Sequence, residues 1–199
     1  GGKTMTMESR NYKIELLTDL LGTVPKNKDV YSDFVIKKAL EEGIDVLEEV
    51  NTVEDLAEKR WTGFHTDDEG IFIYDYLIKG NIKANLETLI MSGDVVKIPA
   101  YKHFIDKVLF VFPRRIRLKP IPDGVNERPI RAQTAQGPRV SLIKSDYVCE
   151  GTTLEFEIRV ISNPKITWEV IEKAMELGEY YGLGQWRGSG GYGRYVIAA

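Results

Sequence analysis

Cysteine, histidine and long apolar runs are what this chain has least of, and each scarcity closes a class of function. Cys149 is the one cysteine among 199 residues. An internal disulfide framework and a cysteine-cluster zinc site are therefore excluded, and a reducing cytoplasm is the expected setting. His65 and His103 are the two histidines, and neither belongs to a Ser/His/Asp or metal-ligand set of recognisable spacing. No stretch approaches the roughly 20 apolar residues of a spanning helix, and no signal-peptide pattern opens the chain, so no membrane partner is expected. Gly1 to Thr6 read as a cloning remnant ahead of a native start near Met5 or Met7. Excess charge is missing as well. With 27 Lys and Arg against 30 Asp and Glu, the net charge is −3, a balance that disfavours a polyanionic partner at long range. What is present, 43% hydrophobic and 29% charged residues, is the composition of an ordinary folded chain.

The charge is unevenly spread. Residues 1–70 hold nine basic and sixteen acidic residues, residues 71–145 thirteen and six, and residues 146–199 five and eight. Within the basic block, Arg114, Arg115, Arg117, Lys119, Arg128, Arg131, Arg139 and Lys144 face only Asp123 and Glu127 as acids over residues 111–144. Such a stripe attracts a polyanion even on a slightly negative molecule, and Arg supplies a planar fork suited to phosphate and to base stacking. The competing reading is a solvated surface whose cations pair with the acidic N-terminal block.

Periodicity gives the elements. Tyr12, Ile14 and Leu16 alternate with Lys13 and Glu15, predicting a first strand that ends at the turn signal Leu20-Leu21-Gly22. Residues 30–60 read as helical but polar, with Thr52 and Asp55 resembling a capping box, as in an insertion lying over a core. Ile71 to Tyr74 read as a short strand, and Ile82, Leu86, Leu89 and Ile90 as one face of a helix. Val108 to Phe112 read as a buried strand. Lys119 to Gly137, with prolines and no apolar period, reads as a functional or mobile loop. Leu154 to Val160 alternate as the clearest strand. Thr167 caps a helix that closes near Tyr181 with Gly182 beyond it, and Tyr195 to Ile197 form a last strand. Without insertions at about 23–70 and 119–150, the order is strand, helix, strand, strand, helix, strand. That predicts an α+β, ferredoxin-like (RRM-like) βαββαβ core within one domain over 1–199, with one sheet face open to a ligand.

The densest local signal is GLGQWRGSGGYGR, residues 182–194. Six glycines in twelve residues raise unfolded-state entropy, so close backbone approach and unobstructed amides are their expected use. Trp186, Arg187, Tyr192 and Arg194 interleave with them, offering rings and guanidinium groups to bases and phosphates. No Gly-Lys-Ser/Thr closes the segment, so it is not a Walker loop. A flexible hairpin turn is the bland alternative.

A glycine-rich segment between the last helix and the last strand resembles that of the RAMP superfamily, the RNA-binding proteins of CRISPR systems. YKIELLTDLLGT (residues 12–23) resembles the first strand and following turn of the backbone-forming members. YDYLIKGNIKANLE (74–87) resembles their Lys-Gly segment. RPIRAQTAQGPRVSLIKSDYVCEGTTLEFEIRV (128–160) resembles a later stretch more loosely, with Cys149 where proline is usual. GLGQWRGSGGYGRY resembles their glycine-rich motif. The resemblance implies binding of single-stranded RNA or DNA through the central sheet, a Lys-Gly helix start and a projecting basic hairpin at residues 113–140. Lys79, Gly80, Lys83, Arg114, Arg115, Arg117, Arg128, Arg131, Arg139, Gly184, Trp186, Arg187, Gly191 and Arg194 are the expected contact residues, with no cofactor or metal. A tight strand-to-helix turn is the plainer reading of Lys79-Gly80. Homo-oligomers and CRISPR-type protein partners are possible associates.

RNA-cleaving relatives place an Asp after the first strand. Asp29 is near, without the surrounding pattern. His65, expected in a polar loop, is the weak candidate for a ribonuclease mechanism, and a non-catalytic binder is the favoured expectation. A further alternative is a viral or accessory anti-defence protein that mimics an effector subunit or captures a small nucleotide in the glycine-rich pocket.

Overall fold

The computed structural model describes residues 5–26 and 61–198. The expected polar helices of residues 30–60 and Asp29 lie outside the described residues.

Alternation builds the central sheet. In β1 (Met7–Leu16), Tyr12, Ile14 and Leu16 are buried while Asn11, Lys13 and Glu15 are exposed. In β11 (Thr153–Ile161) the buried set is Leu154, Phe156, Ile158 and Val160. Antiparallel register sets Tyr12 opposite Phe156 and Ile14 opposite Leu154, so one face is apolar throughout. β7 (Leu109–Phe112) and β12 (Tyr195–Ile197) complete the order β12-β1-β11-β7, every neighbouring pair antiparallel. The helices α1 (Asp75–Ser92) and α3 (Trp168–Glu176) pack Ile78, Ile82 and Leu86 with Ile171, Ala174 and Met175 on that face. Strand order 4-1-3-2 with the two helices on one side is the ferredoxin-like α+β core.

Several expectations are corrected. β1 begins at Met7, because residues 7–11 pair with β11 along backbone alone and carry no apolar alternation. The segment Ile71–Tyr74 belongs to β6 (Gly70–Tyr74), in a separate sheet with β5 (His65–Asp67) and β8 (Arg115–Arg117). A helix α2 (Tyr101–Val108) precedes β7. Thr167 does cap α3, accepting from Val170 N at 3.4 Å, but the helix stops at Leu177 and a further turn, α4 (Gly178–Tyr181), precedes Gly182.

The largest correction concerns the expected loop from Lys119 to Gly137. Most of it is β9 (Gly124–Thr134), paired along its length with β10 (Gly137–Val148). Backbone pairing holds this hairpin where apolar alternation does not. The other edge of β10 pairs with β2 (Leu20–Leu21) at Tyr147 and Val148 and with β4 (Trp61–Gly63) at Lys144 and Ser145. β3 (Val24–Pro25) pairs in turn with β4. At that root the buried Asp146 carboxylate accepts from Trp61 Nε1 (2.8 Å) and Lys26 Nζ (2.9 Å). Among the described residues no helix is long and apolar enough to cross a membrane.

Candidate nucleic-acid interface

The expected contact residues separate into two groups. On the α1–β8 side the cations are paired. Arg117 grips Asp67 with both terminal nitrogens (2.5 and 2.9 Å), Arg115 donates to the same carboxylate (2.7 Å), and Arg114 donates to Asp75 (2.5 Å). The Arg117 hydrogen bonds, opposed by some desolvation and helped by Arg115, hold the Asp67 carboxyl well below the usual carboxylate range. Lys79 and Lys83 both lean on Asp106 of α2. Burial lowers the Lys79 ammonium, with Asp106 opposing. Because α1 begins at Asp75, Lys79 and Gly80 lie in its second turn, and the amides that open the helix are not beside them. The expected Lys-Gly helix start is thus misplaced by one turn. On this side Arg115 and Arg117 pair with the acidic N-terminal block, through Asp67 and Glu69, while Lys79, Lys83 and Arg114 pair with Asp106 and Asp75 inside the basic block itself.

On the hairpin and glycine-rich side Lys144 pairs with Glu127 (3.2 Å), but the expected arginines have no carboxylates among the described residues. Arg128, on β9, sets its guanidinium over the Trp186 ring at 4.6 Å and the Tyr192 ring at 5.1 Å. Its Nη2 reaches Ser145 Oγ at 3.4 Å, while Nε and Nη1 are buried without a hydrogen-bond partner. Burial pulls this guanidinium below the usual arginine range, with Tyr192 opposing; it is charged at neutral pH nonetheless. Asn126 Nδ2 donates to the Tyr192 hydroxyl at 3.4 Å, a second tie between hairpin and loop. Among the described residues neither Arg131 nor Arg187 has an ion pair, and Arg139 donates only to Gln136 (2.6 Å). Arg194 Nε is buried and unpartnered. A partly buried cation without a counter-charge is costly unless something outside supplies one.

The loop glycines serve the chain itself before any ligand. A Cβ on Gly193 (φ +69°) would lie 2.0 Å from Leu183 O, and one on Gly182 (φ +70°) 2.5 Å from Tyr192 O. The two ends of the loop cross at backbone distance there, and Leu183 N donates to Gly193 O (2.8 Å). Gly184 packs on Leu20 and Leu21, and Gly191 O accepts from the Thr18 hydroxyl (2.8 Å). Between these crossings Trp186 is held at φ +54°, a conformation a non-glycine residue adopts only under constraint. The residue stays 45% exposed, with its ring against Arg128 and part of its surface left for stacking.

The open face of the central sheet is less cationic than expected. A cavity of about 690 Å³ over it is lined by Asn11, Lys13, Phe112, Glu155 and Glu157 among others. Arg159 lies over Phe112 (4.2 Å) and is held by Glu157 (2.9 and 3.0 Å), and Lys13 is near Glu155 (3.7 Å). Each cation there already has an acid, so this face gives a polyanion little attraction.

His65 lies in β5, not in a polar loop. It stacks on Phe72 (5.6 Å) and meets Tyr74 edge-on (4.5 Å). Among the described residues no group of three or more His, Cys, Asp or Glu could hold a metal ion. The buried pair Asn81 and Asn85 escaped the sequence reading. The asparagines had a signal, since polar residues at i and i+4 interrupt the apolar stripe of Ile78, Ile82, Leu86 and Leu89.

No protein-family model matches the chain, and no curated protein does. Its fold is similar to that of a chain in the cryo-EM structure of the Type III-B Cmr-beta bound to cognate target RNA. The TM-score is 0.50 at 13% identity, and the match covers 97% of this chain and 59% of that one. This chain therefore spans less than two thirds of its neighbour, and what the two share is the α+β, ferredoxin-like fold.

Proposed function

We propose that this protein is a RAMP-like, non-catalytic binder of single-stranded RNA, acting as one unit over its length. The strand runs where the β9–β10 hairpin meets the glycine-rich loop. Arg128 carries the reading: a half-buried guanidinium packed on Trp186 and Tyr192, with no carboxylate among the described residues and two unpartnered nitrogens. Phosphates supply the missing counter-charge, a base stacks on the exposed part of Trp186, and Arg131 and Arg139 follow the backbone toward the hairpin tip. The similarly folded neighbour comes from a complex bound to cognate target RNA, which supports RNA as the ligand, and the lone Cys149 suits a cytoplasmic setting.

The test is the salt dependence of binding to a fluorescent single-stranded RNA. Each neutralised phosphate contributes a log–log slope of about −0.7 on single strands, so three or four unpaired arginines give roughly −2 to −3. A slope near −7, as if all ten expected cations took part, overturns the assignment of the site. Absence of binding at about 50 mM salt overturns the function.

A further inference from the structure

Behind the glycine-rich loop, on the side away from the hairpin, lies a second cavity that the strand does not need. It has a volume of about 260 Å³ and is lined by Asn81, Ala84, Asn85 and Thr88 of α1 and by Tyr181, Gly182, Arg187 and Gly188. Its floor is polar and tightly organised. The Tyr195 hydroxyl donates to Asn81 Oδ1 (2.6 Å), Asn81 Nδ2 donates to Gly182 O (2.7 Å), and Asn85 Nδ2 donates to Ala174 O (2.8 Å) and Asn81 Oδ1 (3.2 Å). Both protons of the Asn85 amide are thereby used, and its orientation is set. Asn85 is only 2% exposed, yet its Oδ1 accepts no bond from any described residue and is not among the atoms sealed from solvent. That acceptor opens to the cavity and calls for an N–H or O–H donor.

The rim supplies the other half of a recognition pattern. Arg187 is exposed and has no carboxylate among the described residues, and Tyr181 leaves 41% of its surface open. Ala84 is a small residue on the solvent side of α1 and leaves the entrance clear. An anion-binding arginine, an aromatic face and a fixed acceptor together match phosphate, base, and ribose hydroxyl or base amine. The volume falls below the roughly 300–1,000 Å³ of sites that enclose drug-sized ligands, which limits the occupant to one nucleotide unit.

We propose that this cavity is a mononucleotide site. Arg187 holds the phosphate, Tyr181 stacks on the base, and Asn85 Oδ1 accepts from a ribose hydroxyl or an exocyclic amine. The proposal goes beyond strand binding at Arg128 and does not depend on it. The nucleotide is either free or the phosphorylated end of a strand.

Calorimetric titration of the full chain with AMP tests it. Saturable binding is expected, with adenosine at least tenfold weaker for want of the phosphate. Ala84→Phe, which fills the cavity from its exposed wall, and Arg187→Ala should each weaken AMP at least tenfold without shifting the melting temperature. Displacement of AMP by a 5′-phosphorylated oligonucleotide, and not by its hydroxyl-ended counterpart, assigns the site to strand ends. No displacement assigns it to free nucleotide, and either result supports the site. AMP binding unchanged in both variants, or none at millimolar AMP, overturns it. Arg128→Ala should leave AMP affinity intact while reducing strand affinity, so the failure of one proposal is distinguishable from failure of the other.

Discussion

Five cations on the α1–β8 side and five on the hairpin and loop side look alike in the sequence, and the fold treats them oppositely. Lys79, Lys83, Arg114, Arg115 and Arg117 share four carboxylates, Asp67, Glu69, Asp75 and Asp106. Arg128, Arg131, Arg139, Arg187 and Arg194 have none among the described residues. Exposed ion pairs add little stability, but each must be broken before its cation can serve a phosphate. Local charge counts therefore overstate a binding surface wherever topology brings acids from elsewhere. The counterion of a polyanion is best sought among cations that the protein itself leaves uncompensated.

The sharpest way to break this contrast is substitution on each side. Arg128→Ala should lower single-strand affinity about 10- to 100-fold, the range of a packed interface arginine, while Arg114→Ala should change it less than about twofold. Equal losses in an anisotropy titration would erase the distinction. A smaller effect is expected from converting one side into the other. Asp67→Asn removes the carboxylate that Arg115 and Arg117 share and leaves Arg117 only Glu69 (3.2 Å), so strand affinity should rise about two- to fourfold at low salt, with a steeper salt slope. An unchanged slope would mean that those arginines lie off the path of the strand.

The smallest effect is one of pH at the root of the hairpin. Asp123 accepts from Lys119 Nζ (2.7 Å) and from the Cys149 amide (2.8 Å). Lys119 first, then that amide, hold its carboxyl down at about 2. A carboxyl lowered on folding stabilises the native state above its unfolded pKa of about 3.9, and that contribution is lost as pH falls through the folded value. Urea midpoints of the parent chain should drop between about pH 4 and pH 2 more than those of Asp123→Asn. Parallel profiles would remove Asp123 from the account.

Much of the core was legible because its physics is local. The alternation of Leu154 to Val160, the Thr167 cap and the apolar stripe of α1 each arise within a few residues, and together they fix six elements in the right order. The hairpin was legible only through family resemblance, and with its bounds too early, since its strands run over 124–148 where 113–140 was expected and Arg115 to Arg117 pair with β6 instead. Its strands are held by backbone pairing, with polar or charged residues at most positions of β9 and Pro129 in the middle, so no hydrophobic period marks it. The site was legible as a composition and not as an arrangement. Trp186 and Arg187 are adjacent in sequence, yet one belongs with Arg128, 58 positions away, and the other borders the cavity behind the loop. Asp67 and Arg117 are 50 positions apart, and nothing in either neighbourhood announces their pairing.

The hairpin has one more consequence. Among the described residues, the outer edge of β10 is joined to the rest of the molecule only from Lys144 to Val148, and residues 137–143 pair with β9 alone. It is a cantilever clamped at Asp146 and Asp123. Arg128 pairs with Ile143, just beyond the clamp, where Trp186 and Tyr192 prop it and deflection is least. Arg131 and Arg139 ride farther out, where the arm bends most readily. A strand would thus be gripped rigidly at one nucleotide and followed compliantly at the next few, a division of labour set by leverage.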